Sequence, residues 1–450
     1  MSRQVHLNVN ILNSGVFGGS WRFPGTDPLV AFGLEHYVGI ARKAEAARLD
    51  AIFLADGPAI REDLRYRPFN SLEPSVVLAA VAAATSAIGL IGTLSSTYND
   101  PYDVARRFAT LDQLSGGRSG WNVVTTAGKE SARNFGFDDE PDHAVRYARA
   151  AEFVEAVRKL WNSWEPDALV GDKPTWRFAD PDKIHSTDHH GPHFDVAGPL
   201  NVPRSPQGEP VVVQAGASTD GRALAARVGE VIFTAAQTEQ EAAEYYRDVK
   251  ARAVGYGRSA EGVVVLPGLS TVIGSTEAEA QRRRELLAEL VPPEYALTRL
   301  AGQLGVPEEA LVLDGPLPWH LLADADEAGG SQTFYKIAVG LAQRENLTVR
   351  QLLRRLGGGA GHRIVTGTPE QIADAILDWV DKGIADGFNL MPDVLPSGFD
   401  DFVDHVVPIL QRRGRFRTEY ESTTLRGHLG LAVPAHTVPG SGDAADRVVA

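Results

Sequence analysis

The stretch from Asp112 to Gly136, DQLSGGRSGWNVVTTAGKESARNFG, restricts the fold more than any other part of the chain. Val104, Phe108 and Leu111 lead into it with helical spacing, and Gly116–Gly117 stop that helix. Gly120 to Thr125 is a short run of Trp, β-branched and polar residues and reads as a strand. A polar loop follows, with Asn122, Thr125 and Thr126 at or just past the strand tip. Helix, glycine pair, strand and polar loop make one step of a repeated βα unit, and such folds carry their chemistry where the strands end. The same polar residues could also serve only to satisfy neighbouring backbone, so the stretch leaves both roles open.

The alternation continues along the chain. Val5 to Ile11, Ala51 to Ala55, Ile88 to Leu94, Val211 to Gln214, Val231 to Thr234, Val263 to Leu269 and Gly387 to Met391 read as strands. Helical patterns separate them, with Pro101 and Pro369 at first-turn positions. Residues 162–210 are rich in proline, glycine, aspartate and histidine and form a long excursion; 291–365 again break the rhythm. With about eight strand–helix units, the pattern predicts an α/β fold, a (β/α)8 TIM barrel with insertions. Its expected extent is one domain over 1–432, with insertions at about 162–210 and 291–365, and a flexible tail over 433–450. A doubly wound open sheet is the alternative.

A net charge of −14 and no basic run argue against nucleic acid and against an anionic membrane surface as partners. The absence of cysteine removes disulfides, thiolate nucleophiles and cysteine metal sites. Pro74 to Tyr98 is uncharged, but Gly89 and Gly92 divide it into a buried helix and strand rather than a span. With no signal-peptide pattern at MSRQVHLNVNI, the expected location is the cytoplasm.

Several residues stand where chemistry would be. Asp56 ends an apolar strand, where its carboxylate could accept an N–H from a ring or simply cap the turn into Gly57–Pro58. Thr93, Ser95 and Ser96 offer small hydroxyls beside which a flat ring could lie, or ordinary strand polarity. Asn122 carries a donor and an acceptor. His143 and Tyr147, four apart at a helix start, share one face and could serve a phosphate together with the helix N–H groups. Gly216, Ala217 and Ser218 follow a strand and would let backbone N–H groups approach an anion; Arg222 could help or be a surface charge. His185, His189, His190 and His193 imitate a metal site but fall in a proline-flanked loop rather than on one helix face, and the expectation is no metal.

SGGRSGWNVVT followed by ARNFG resembles the bacterial-luciferase-like flavin monooxygenases, in the group of nitrilotriacetate monooxygenase, pristinamycin synthase and dibenzothiophene sulfone monooxygenase. FLADG at 53–57, SSTYNDPYDVARRFATLDQLSGGR at 95–118, KLWNSWEPDALV at 159–170, GPLNVPRSPQGEPVVVQAGAS at 198–218, DDFVDHVVPILQRRG at 400–414 and TTLRGHLGL at 423–431 carry the same resemblance. It extends in order over roughly 5 to 432, which is far more specific than one short motif.

The resemblance implies an FMNH2-dependent monooxygenase that uses O2 to oxidise or cleave a small organic substrate. A separate NAD(P)H:flavin reductase would supply the reduced flavin, and no GxGxxG follows a strand in this chain. It also implies a homodimer or homotetramer. Asp56, one of Thr93, Ser95 and Ser96, and Asn122 would lie at the flavin ring, with Asn122, and Ser95 beside it, as the catalytic candidates. His143, Tyr147, Gly216, Ala217 and Ser218 would lie at its phosphate. The chain departs from the pattern where relatives carry histidines: Gly18, Phe23 and Gln303 stand there, and His320 and His362 have no assigned place. Two rivals follow, a deazaflavin-dependent hydride-transfer enzyme on the same barrel and a flavin-binding protein without turnover. A metal-dependent barrel hydrolase is a third.

Overall fold

The computed structural model describes residues 3–60, 64–69, 72–216, 218–322, 332–356 and 361–439. Eight parallel strands close into a barrel: β1 (His6–Asn10), β2 (Ala51–Leu54), β3 (Gly89–Ser95), β4 (Ser119–Val124), β5 (Val211–Gln214), β6 (Val231–Thr234), β7 (Val264–Ile273) and, last in the chain, β9 (Gly387–Leu390). Each pairs with the next, and β9 pairs with both β7 and β1, which completes the ring. The open-sheet alternative is thereby excluded.

A further strand of the same sheet lies outside the ring. β8 (Arg363–Gly367) pairs with the second half of β7, from Leu269 to Ile273, beyond the point where β7 leaves β9. Its sequence, RIVTG, falls inside the stretch read as irregular insertion, because a five-residue run after a glycine-rich segment carries too little periodicity to stand out. The helix over Pro293–Leu304 was likewise not foreseen there.

The helices follow their sequence signals closely. α1 (Leu34–Ala46), α2 (Pro74–Ala84), α3 (Pro101–Ser115), α4 (His143–Trp161), α5 (Thr219–Val228), α6 (Glu239–Gly255) and α7 (Glu277–Glu289) come between or after the strands. Gly116 ends α3 at φ 70°, a left-handed cap that residues with a Cβ rarely adopt. α8 (Pro293–Leu304), α9 (Gln332–Glu345) and α10 (Val349–Leu356) form a satellite with its own apolar cluster, and α11 (Pro369–Asp381) returns the chain to β9. The 162–210 excursion holds two small hairpins, Leu169–Asp172 with Arg177–Ala179 and His189–His190 with Asp195–Val196.

Strand alternation sorts the side chains. Leu7, Val9, Phe388 and Leu390 join the core under the outer helices, and Trp121 and Val123 join another. Phe53, Ile91, Val213 and Leu266 fill the barrel instead, in one cluster with Leu425, Leu429 and Leu431 from the C-terminal segment. That segment plugs the N-terminal end of the barrel. Arg426, 1% exposed, makes a two-point ion pair with Glu230 (2.5 and 3.1 Å). Beyond Leu431, Arg204 still donates to the Pro434 carbonyl (2.9 Å), and His436 Nε2 lies 2.8 Å from the Asn162 carbonyl. No described helix is long and apolar enough to cross a membrane.

Candidate active site

Asn122 is inward on β4 because Trp121 and Val123 are outward. Its Nδ2 donates to Thr93 Oγ1 on β3 at 2.9 Å, a pair that the parallel register sets directly opposite one another. Its Oδ1 is buried and has no protein partner. Ser95, two residues beyond Thr93 on β3 and also buried, uses its Oγ to accept the Thr97 N–H (3.1 Å), which leaves the hydroxyl proton to donate. Ser96 donates instead to the Val124 carbonyl (3.1 Å). Asp56 is half-buried just past β2, and burial, reinforced by Glu73, pushes its carboxyl above the usual range against the pull of the Gly57 N–H.

The loops after β4 and β5 meet. His143, at the first turn of α4, lies against Tyr147 with the rings tilted by 43° (centroids 4.6 Å apart), and its Nδ1 is 3.1 Å from Asp220 in the first turn of α5. Ser218 caps α5 by accepting the Gly221 N–H (3.1 Å). Gly216 is held for a different reason than anion approach alone: a Cβ there would lie 2.7 Å from Gly221 Cα, so the glycine lets α5 pack against the strand end. Tyr245 donates to the Gly216 carbonyl (2.5 Å). Arg222 lies over the Tyr245 ring and pairs with Asp248 (3.3 Å). Ala217 lies outside the described residues. Two helix N-termini and the His143–Tyr147 pair thus converge, with the Asp220 carboxylate beside His143.

The barrel adds residues that the sequence did not single out. Asn8 and Asn10 alternate with outward Leu7 and Val9, Asn389 with outward Phe388 and Leu390, and Ser270 follows outward Leu269. Asn8 Oδ1, Asn10 Oδ1, Ser270 Oγ and both Asn389 side-chain atoms are buried without a protein partner. The pattern that could have revealed them is visible in HLNVN and GFNL, where asparagine takes inward positions in otherwise apolar runs. His362 joins them: its ring stacks on Phe233 (5.0 Å, 17°) and sits over Gly268, whose Cβ would lie 2.2 Å from His362 Nδ1. Burial pushes this imidazole down to about 4, so it is neutral at ordinary pH. Orphaned polar atoms in such a layer are costly unless a ligand or water completes them, and a flat, donor- and acceptor-rich ring fits that demand.

The histidines of the 162–210 excursion are engaged separately, His185 with Glu165 (2.8 Å), His189 with Glu152 (3.2 Å) and His190 with Asp195 (2.8 Å). Of the three positions that the resemblance set apart, Gly18 and Gln303 line one cavity beside the satellite helices, while Phe23 packs under the Arg283 guanidinium (4.9 Å).

Comparison with known proteins agrees with the barrel fold. A family model described as luciferase-like monooxygenase matches residues 17–386. Nitrilotriacetate monooxygenase component A of Aminobacter aminovorans is 48% identical, the match covering 97% of this chain and 98% of that one. Dibenzothiophene-sulfone monooxygenase of Rhodococcus erythropolis (strain XP) is 44% identical over 96% and 98%. Among solved structures, EDTA monooxygenase from Chelativorans sp. BNC1 superposes with a TM-score of 0.81 at 38% identity, covering 95% of this chain and 98% of that one.

Proposed function

The chain belongs to the luciferase-like monooxygenase family and is a flavin-dependent monooxygenase of the two-component kind, and on that premise we propose that it uses FMNH2 and O2 to oxidise a small organic substrate at the C-terminal mouth of the barrel. The observation that carries this is the pairing of a ring-sized polar layer with a phosphate-sized cradle. The Asn122 amide, tied to Thr93 by its nitrogen, leaves a buried oxygen without a protein partner, free to accept from a ligand. His143 and Tyr147, on the helix after Asn122's own strand, and the first turn of α5, after the neighbouring strand, offer donors for a phosphate.

When bound, reduced flavin supplies the electrons and the site of oxygen activation. The residues of this chain do the positioning. Asn122 and Thr93 orient the ring, with Ser95 and Asp56 at the neighbouring strand tips. His143, Tyr147, Gly216, Ala217 and Ser218 hold the phosphate end. The apolar barrel below, closed by Leu425 and Leu429, keeps bulk water from the lower face. A separate NAD(P)H:flavin reductase delivers the reduced cofactor. We place the protein in the cytoplasm as a homodimer or homotetramer, as its sequence resemblance implies.

Anaerobic titration of the purified protein with FMNH2, repeated with the reduced deazaflavin, tests the assignment. Saturable FMNH2 binding, followed by substrate-dependent oxygen uptake once the reductase is added, is the expected result. Binding of the deazaflavin alone would move the protein to hydride-transfer chemistry. FMNH2 binding with no substrate-dependent oxygen uptake across a broad panel would leave a flavin carrier.

A further inference from the structure

We infer that His362 is a further residue of the flavin site, donating its Nε2–H to a carbonyl oxygen of the flavin ring from the barrel wall opposite Asn122 and Thr93; the inference rests on the monooxygenase assignment above. The fold brings this imidazole inside the barrel. It stacks on Phe233 of β6 (centroids 5.0 Å apart, 17°), and Phe233 in turn packs against Phe53 of β2 (5.8 Å, 53°). Rings in contact thus run from β2 across the barrel to His362. Gly268, on which the imidazole rests, and Ser270 are on β7, and Asn389 pairs with Gly268 from β9. In the closed ring, β7 and β9 stand across from β3 and β4, the strands of Thr93 and Asn122.

The imidazole is anchored from both sides along the chain. Gln237 donates to the Gly361 carbonyl (2.6 Å), and Arg363, the first residue of β8, lies over Trp379 of α11 (4.3 Å). Its two nitrogens face different surroundings. Nδ1 is buried beside Gly268 with no protein partner. A proton on Nδ1 would be a buried donor without an acceptor, which is rarer than an acceptor left unmet. A neutral imidazole carries one N–H, so the proton belongs on Nε2. Nε2 also has no partner among the described residues, but it is not sealed, and it opens on the barrel mouth. Burial lowers the proton affinity of the ring, so this donor is uncharged.

The interior of an eight-stranded barrel is just wide enough for packed side chains or one small ligand. A flat ring gripped by Asn122 and Thr93 on one wall therefore also meets the other. There, Ser270 Oγ and both Asn389 side-chain atoms wait without partners beside His362. The carbonyl oxygens of a flavin ring only accept, so they call for donors. A serine hydroxyl can rotate and an asparagine amide can flip, whereas the stack on Phe233 and the contact with Gly268 fix the direction of the His362 N–H. Little side-chain freedom is left for the ring to lose when a ligand arrives, which favours binding.

Isotope-edited infrared spectra of bound FMN, carrying 13C at one ring carbonyl or the other, test the contact without turnover. One of the two carbonyl bands should move to higher frequency in His362→Phe, which keeps the stack but has no donor. It should return towards its original place in His362→Gln, whose amide N–H can reach the same oxygen. FMNH2 affinity should fall about ten-fold in the Phe variant and less in the Gln variant. A purely structural role would lower affinity without moving either band, so two unmoved bands in His362→Phe would overturn the contact. Diethyl pyrocarbonate, which acylates neutral imidazole nitrogen, gives a second test that needs no variant to fold. Peptide mass mapping of the unaltered protein should find His362 acylated without FMN and protected by it, while the exposed His190 reacts equally in both states. Acylation of His362 that FMN does not change, or none in either state, would overturn the contact as well. Failure of the monooxygenase assignment itself would appear separately, as absent binding of FMN and FMNH2 by the unaltered protein.

Discussion

Asn122 and Thr93 face each other across β3 and β4, and the 2.9 Å bond from the Asn122 amide nitrogen to the Thr93 hydroxyl determines which end of the amide points into the barrel mouth. Because the nitrogen is used, the oxygen is the free end. Asn122→Ala should therefore cost the flavin a hydrogen bond and leave the fold in place. We expect reduced-flavin affinity and turnover to fall roughly 10- to 100-fold, and stability by less than about 1.5 kcal/mol. Thr93→Val should have a smaller effect in the same direction, since it frees the amide to rotate. Near-normal flavin affinity in Asn122→Ala would remove this residue from the site.

The His143–Tyr147 pair can be tested against the phosphate alone. His143→Ala and Tyr147→Phe should weaken FMN binding while leaving riboflavin binding almost unchanged, so that the preference for FMN collapses. Asp220→Asn removes the carboxylate 3.1 Å from His143 and should tighten FMN by about 3- to 10-fold. Fluorescence titrations with the two flavins read both effects. Equal losses for FMN and riboflavin would place the pair away from the phosphate.

His362 ties stability to pH. Its folded value of about 4 lies below the ordinary 6.5 because burial disfavours the charged ring. Between those values the unfolded chain binds a proton that the folded chain refuses, so stability falls as pH drops through that window. The full difference is of order 3 kcal/mol. Urea unfolding at pH 7.5 and pH 5 should show about 2 kcal/mol of it, and His362→Gln should flatten it. Gly268→Ala would drive a methyl into the imidazole, displace it from Phe233 and destabilise the protein by roughly 1–3 kcal/mol. An unchanged pH profile in His362→Gln would show that the ring is not the source.

The plug at the lower end of the barrel rests on Arg426 and Glu230. Glu230→Gln strips the partner from an almost fully buried guanidinium and should cost about 3–5 kcal/mol. The double replacement Glu230→Leu with Arg426→Met removes both charges and should cost less than the single change. A double variant at least as unstable as Glu230→Gln would mean that packing, not pairing, holds the plug.

The barrel and its helices were readable in the sequence because their signals are local. Alternation in VVVQ, the Pro101 and Pro369 starts and the Gly116 stop act within a few residues, and each matches the observed element to within a residue or two. The positions of His143 and Tyr147 at a helix start were also readable, whereas Asn122, expected at or just past a strand tip, lies inside β4 and faces inward. β8 was missed because its pairing with the upper half of β7 is decided far from its own five residues.

What the sequence by itself determined, then, is the βα alternation, and with it which residues would stand at the catalytic end of each strand. Only the closed ring decided what those residues meet. Asn8 and Asn389, at opposite ends of the chain, become register neighbours because β9 pairs with β1. His362 enters the barrel because β8 attaches beyond Gly268, where the absent Cβ leaves room for an imidazole. Arg284 of α7 and Arg355 of α10 line one cavity because the satellite folds back over α7. Local sequence can specify a turn or a strand face within a few residues, whereas charge and polarity across a barrel depend on contacts that exist only once it has closed.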